Sequence, residues 1–122
     1  MHEVTLEVPV PHHDLAPNSR CHWANRARRT RQCRRAVALL AMNEYRPDKP
    51  HANMRIKCCW DFPTKRKRDK SNLTAWLKAT IDGLVDAGWV EDDQDVIVDG
   101  DHMVRHVKGC EPTVRMFVEF ED

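Results

Sequence analysis

Val4, Leu6, Val8 and Val10 alternate with Thr5 and Glu7, the period of a strand with one buried face. Pro9 and Pro11 limit that strand to a sheet edge or end it, because proline has no N–H for an inner ladder. The stretch PHHDLAPNSRCHW has no periodicity and predicts a long loop. Residues 25–44 then predict a helix that ends at Tyr45-Arg46-Pro47. Its first half carries Arg26, Arg28, Arg29, Arg31, Arg34 and Arg35, and its second half, AVALLAM, is core material. Beyond a connector with Pro47 and Pro50, Met54, Ile56, Cys58, Trp60 and Phe62 face one way, and Arg55, Lys57, Cys59 and Asp61 the other.

The second helix has the clearest signature. Leu73, Trp76, Leu77, Thr80, Ile81, Leu84 and Val85 form one continuous stripe at helical spacing. Gly88 stands where a C′ glycine closes such a helix. The acidic run EDDQD follows, then a strand from 96 to about 107, bent near Gly100. A last strand points Val114, Met116, Val118 and Phe120 inward. The order β-α-β-α-β-β predicts an α+β fold, a small mixed four-stranded sheet packed by two helices, with residues 1–122 as a single domain.

Charge changes the picture once it is divided along the chain. Residues 1–68 hold fifteen Lys/Arg against six Asp/Glu, a net +9. Residues 69–122 hold five against thirteen, a net −8. A basic half favours a polyanionic partner, and the acidic half argues against a membrane, which would repel it. No apolar run reaches membrane-spanning length, and MHEVTLEVPV lacks a basic n-region and a long apolar segment. A cytoplasmic protein is the expectation. The five cysteines are odd in number and lack CxxC spacing, so reduced thiols are expected. His102 and His106 lack the partners that a zinc site requires.

The charge boundary falls within KRKRDKSNL, where Lys65, Arg66, Lys67 and Arg68 run into Asp69 at a helix start. One reading is a solvated loop with Asp69 and Ser71 capping the helix. The other has the cations holding a polyanion and the carboxylate holding a metal. On the helical wheel Ser71, Ala75, Lys78 and Asp82 share a face away from the apolar stripe. Lys78 lies seven residues past Ser71, roughly 10 Å along the axis, so its side chain can lean back toward the first turn. Glu91, Asp92, Asp93 and Asp95 can form a solvated turn, or join Asp69 if the next strand runs back beside the helix start. A Mg²⁺ site needs only one or two protein carboxylates, with water and phosphate filling the octahedron.

These residues together resemble the RusA-type Holliday junction resolvases, most closely versions carried by phages of actinobacteria. The family pattern is Arg-Asp-x-Asp-Asn-Leu before a helix, a lysine within it, an Asp-Gly/Ala-Leu turn, and Asp-Asp after Ala-Gly. Asp69 matches the first aspartate, Asn72-Leu73 the Asn-Leu, Lys78 the lysine, Asp82 the helix aspartate and Asp92-Asp93 the acidic pair. LAPNSRCHWANRARRTRQCRR resembles the family's Pro-Asn-x-x-x-His-Trp loop and basic helix. The chain departs from the family at Ser71, where the pattern has its second aspartate.

The resemblance implies a Mg²⁺-dependent endonuclease, with Mn²⁺ as a substitute, that resolves four-way junctions as a homodimer in a bacterial or phage-infected cell. Asp69, Asp93 and Lys78 are the implied catalytic residues, and Asp69, Asp93 and Asp92 the implied metal ligands. Arg20, His22, Trp23, Arg26, Arg28, Arg29, Lys65, Arg66, Lys67 and Arg68 are the implied DNA contacts. Two rival expectations stand beside it. One is a junction-binding protein whose cleavage is weakened by Ser71; the other is an architectural or regulatory protein of linear DNA.

Overall fold

The computed structural model describes residues 2–121. Its strands are β1 (His2–Pro9), β2 (Asn53–Phe62), β3 (Val96–Val98), β4 (Met103–His106) and β5 (Thr113–Glu121). They form one mixed sheet in the order β1-β5-β2-β3, with β4 also paired to β2. β5 is antiparallel to both its neighbours, while β3 and β4 run parallel to β2. The fold is α+β, and the β3–β4 pair is the strand expected between 96 and 107, broken around Gly100. β1 takes the edge, as Pro9 requires.

Helix α1 spans Trp23–Glu44, and the second predicted helix divides into α2 (Lys70–Trp76) and α3 (Lys78–Asp86). A single continuous helix was the expectation. Leu77, at φ −83° and ψ 0°, interrupts it, and its N–H bonds the Thr74 carbonyl at 3.1 Å. The Thr74 hydroxyl lies 3.3 Å from the Lys70 carbonyl, the back-bonding that bends helices. The stripe survives the break: Leu73, Leu77, Thr80 and Leu84 are buried. Gly88 ends α3 at φ +83°, the left-handed conformation that glycine adopts without penalty.

The inward rows of β1, β2 and β5 meet these helices in one core that includes Trp60, Trp89, Phe120 and Met54. Trp89 anchors the α3–β3 link by donating its indole N–H to the Tyr45 carbonyl at 2.9 Å. Gly83 lies inside α3, where the family pattern suggested a turn. At its side α1 comes so close that only a glycine fits. All five cysteines are free thiols, and burial pushes the Cys58 thiol up to about 12. Among the described residues, no helix is long and apolar enough to cross a membrane.

Candidate functional site

The loop from β2 to α2 carries Lys65, Arg66, Lys67 and Arg68, and then caps α2 with Asp69. One oxygen of Asp69 accepts the Ser71 amide N–H at 2.8 Å and the Ser71 hydroxyl at 2.5 Å. These donors, the hydroxyl first, hold the Asp69 carboxyl below the usual aspartate range. Asp69 is therefore an exposed, ionised carboxylate at the mouth of the basic loop. It is also the N-cap of α2, as the first of the two sequence readings expects.

Three of the four cations are exposed, while Arg68 turns inward. Its guanidinium lies 3.7 Å from the centre of the Phe62 ring and donates to the Arg66 carbonyl at 3.1 Å. Arg68 therefore shapes the loop. Arg26 does the same for the long N-terminal loop, donating to the Asp14 carbonyl at 2.9 Å. Arg29 sits 3.6 Å from the Asp14 carboxylate. Arg20, His22, Trp23 and Arg28 remain exposed at the start of α1 and the loop before it, with Trp23 77% accessible. His22 also caps α1, its Nδ1 accepting the Ala24 N–H.

Lys78 does not reach back to Ser71. It donates to Asp82 at 3.0 Å and also to Asp93, which brings the helix and the acidic run together. The two carboxylates, Asp93 first, raise the Lys78 pKa, and Lys78 in turn leads the lowering of Asp93. Asp92 caps the short 3₁₀ turn Asp93–Asp95, accepting the Gln94 N–H at 2.9 Å.

Asp69, Asp92 and Asp93 do not gather as ligands. Among the described residues, the one group of three or more His, Cys, Asp or Glu with ligand atoms within 4.8 Å of one another is His12, His13 and Asp14. There His12 Nδ1 already accepts the Asp14 N–H at 3.1 Å, and Arg29 adjoins the carboxylate. The donor chemistry at Asp69 suits a water-rich Mg²⁺ held by one carboxylate, whereas a three-carboxylate cage does not fit this arrangement.

β3 and β4 run back toward the start of α2, and a different carboxylate arrives there: Lys70 Nζ lies 2.7 Å from Asp101. Next to it, buried His102 ties the sheet to α2. Trp60 can only donate, so its N–H at 3.1 Å makes His102 Nδ1 the acceptor and places the proton on Nε2. Nε2 then donates to the Thr74 hydroxyl at 2.6 Å. Asp99-Gly100-Asp101 signals the break in the strand, but not that the break lies beside α2.

The basic loop, the start of α2 and residues Ala16–Asn18 enclose a cleft of about 340 Å³, with Asp69 and Trp76 in its wall. Trp76 is pinned at both ends: it stacks on Trp60 at 5.9 Å and donates to the His12 carbonyl at 3.1 Å.

Fold and site define an α+β protein with a carboxylate set at the rim of a cation-lined cleft. No family model matches the chain. Over 94 residues it is 29% identical to a curated protein of Xylella fastidiosa (strain Temecula1), whose printed name is "Uncharacterized protein". The match takes in 72% of this chain and 60% of that protein, so the chain spans about 60% of its relative's length.

Proposed function

We propose that the chain is a RusA-like, Mg²⁺-dependent endonuclease that nicks four-way DNA junctions, acting as a homodimer on branched DNA. The observation that carries this reading is the Lys78–Asp93 contact, which joins two of the motifs behind the resemblance across fifteen residues of sequence. Lys65, Arg66, Lys67 and Arg28 offer exposed cations for the backbone phosphates. Asp69 is the proposed protein ligand of a water-rich Mg²⁺, which when bound would activate water and neutralise the leaving oxygen. Lys78 stabilises charge on the attacked phosphate. The inner face of β5 is spent on the core, so Leu39 and Leu40 of α1, 58% and 40% exposed, are the better dimer surface.

A second reading has its own observation. Ser71 occupies one oxygen of Asp69 with two hydrogen bonds, which favours a junction-binding protein with weakened cleavage. The deciding experiment incubates the protein with a synthetic four-way junction, with Mg²⁺ and with EDTA. Paired nicks that need Mg²⁺ support the endonuclease, while tight binding without nicks supports the binding protein. A preference for linear duplex overturns both.

A further inference from the structure

We infer that the cleft between the basic loop and the N-terminal loop is a subsite for one unpaired nucleotide, its base stacked on Trp76. This rests on the branched-DNA reading, since stacking is interrupted at a branch point and a base leaves its partner there at lower cost than within a continuous duplex. Three features of the wall point to this ligand. The apolar part combines Leu73 with the half-buried Trp76, and Trp76 is held in place before any ligand arrives by stacking on Trp60 and by donating its indole N–H to the His12 carbonyl. A fixed aromatic of this kind suits stacking with any base, because every base offers a π-face. Two side-chain amides, Asn18 of the N-terminal loop and Asn72 of α2, line the same space; each carries a donor and an acceptor, as a base edge does. Arg66 and Lys67 then close the wall with positive charge for the flanking phosphates.

Size agrees with chemistry. About 340 Å³ lies at the small end of the range for ligand pockets, roughly 300–1,000 Å³. It suits one nucleotide and excludes a base pair. Asp69, in the same wall, repels a free anion, so the phosphates belong on the side of Arg66 and Lys67. The base enters toward Trp76.

The test separates this inference from the nuclease reading. Calorimetric titration with a deoxynucleoside 3′,5′-bisphosphate in EDTA, where no cleavage occurs, measures the subsite alone. Saturable binding is expected. Asn18→Ala should weaken it about five- to tenfold, as for a lost hydrogen bond, and Ala16→Phe, which fills the cleft from an irregular segment, should abolish it. On a junction carrying 2-aminopurine at the branch point, the parent should change the fluorescence of the probe and Ala16→Phe should not. If the bisphosphate does not bind and Ala16→Phe nicks junctions like the parent, the subsite is overturned and the nuclease reading stands. If the bisphosphate binds as expected but no junction is ever nicked, the subsite stands and the nuclease reading falls.

Discussion

A Cβ added to Gly83 of α3 would lie 2.8 Å from the carbonyl oxygen of Arg34 in α1 and 2.8 Å from Val37 Cβ. Neither atom belongs to a flexible side-chain end, so the two helices would have to separate. Arg34 also clamps this contact by donating to both oxygens of Asp86, at 3.0 and 2.8 Å. Gly83→Ala should therefore lose about 1–3 kcal/mol despite alanine's better helix propensity. Urea denaturation measures it. A stabilised variant would show that α1 and α3 can part without cost.

The stability of the protein should fall as pH drops below neutrality, through His102. Its ring is buried, and desolvation holds its pKa below 6.5 against the raising effect of Asp99 and Asp101, with Lys70 adding to the lowering. The unfolded chain gains a proton near pH 6.5 and the folded chain does not. The stabilisation is thus complete above that pH and is lost as pH falls toward the folded pKa. Protonated Nδ1 could no longer accept from Trp60. His102→Gln, neutral throughout, should flatten the decline between pH 7.5 and 5 in urea titrations. The flattening is partial, because burial and Arg29 also lower His12. An unchanged decline would exonerate His102.

The sheet was legible in the sequence because its strands alternate cleanly: Met54, Ile56, Trp60, Val114, Met116, Val118 and Phe120 are all buried as their spacing requires. The helix break at Leu77 was not legible, since it depends on Thr74, whose hydroxyl bonds His102 twenty-eight residues away. The site was legible in part. Lys78 and Asp93 meet, but the direction in which Lys78 reaches is set by which carboxylates the fold brings close. Arg26 and Arg68 stand among the DNA contacts that the resemblance implies, and each also bonds a loop carbonyl within the protein, a use that no local pattern signals. The meeting of Lys70 with Asp101 depends on the parallel β2–β4 pairing, which no local pattern encodes.

Lys78 separates stability from activity. Its side chain is 63% exposed, and such ion pairs add about 0–1 kcal/mol at most. Lys78→Ala should unfold within that margin of the parent, yet nick junctions about 10²–10³-fold more slowly, as when a charge-stabilising donor is lost. Junction binding in EDTA should stay within a few-fold. Undiminished nicking would make Lys78 an ordinary surface lysine.

The basic loop should divide in the same way. Replacing Lys65, Arg66 and Lys67 together with alanine should weaken junction binding and flatten its salt dependence by roughly one unit of slope per lost contact. Arg68→Ala should instead lower thermal stability, because its guanidinium rests on Phe62 and bonds loop carbonyls. An unchanged slope in the triple variant would remove the loop from the DNA surface.

Ser71 gives the most discriminating test, because the hydroxyl it donates to Asp69 does what a second carboxylate cannot. In Ser71→Asp the amide N–H remains, but two anionic side chains face each other at the start of α2. Without divalent cations the repulsion should raise the Asp69 pKa and lower the melting temperature. Mg²⁺, binding between the two carboxylates, should reverse that loss, whereas the parent should respond weakly to the same ion. Nicking by the variant should be faster than by the parent, or should need less Mg²⁺. Asp69→Asn should abolish nicking in either background and leave junction binding largely intact. Differential scanning fluorimetry across a Mg²⁺ series, together with junction cleavage, reads both effects. If Ser71→Asp melts identically with Mg²⁺ and EDTA and cleaves more slowly, the metal is held elsewhere. If Asp69→Asn still nicks at the parental rate, Asp69 is a helix cap and nothing more.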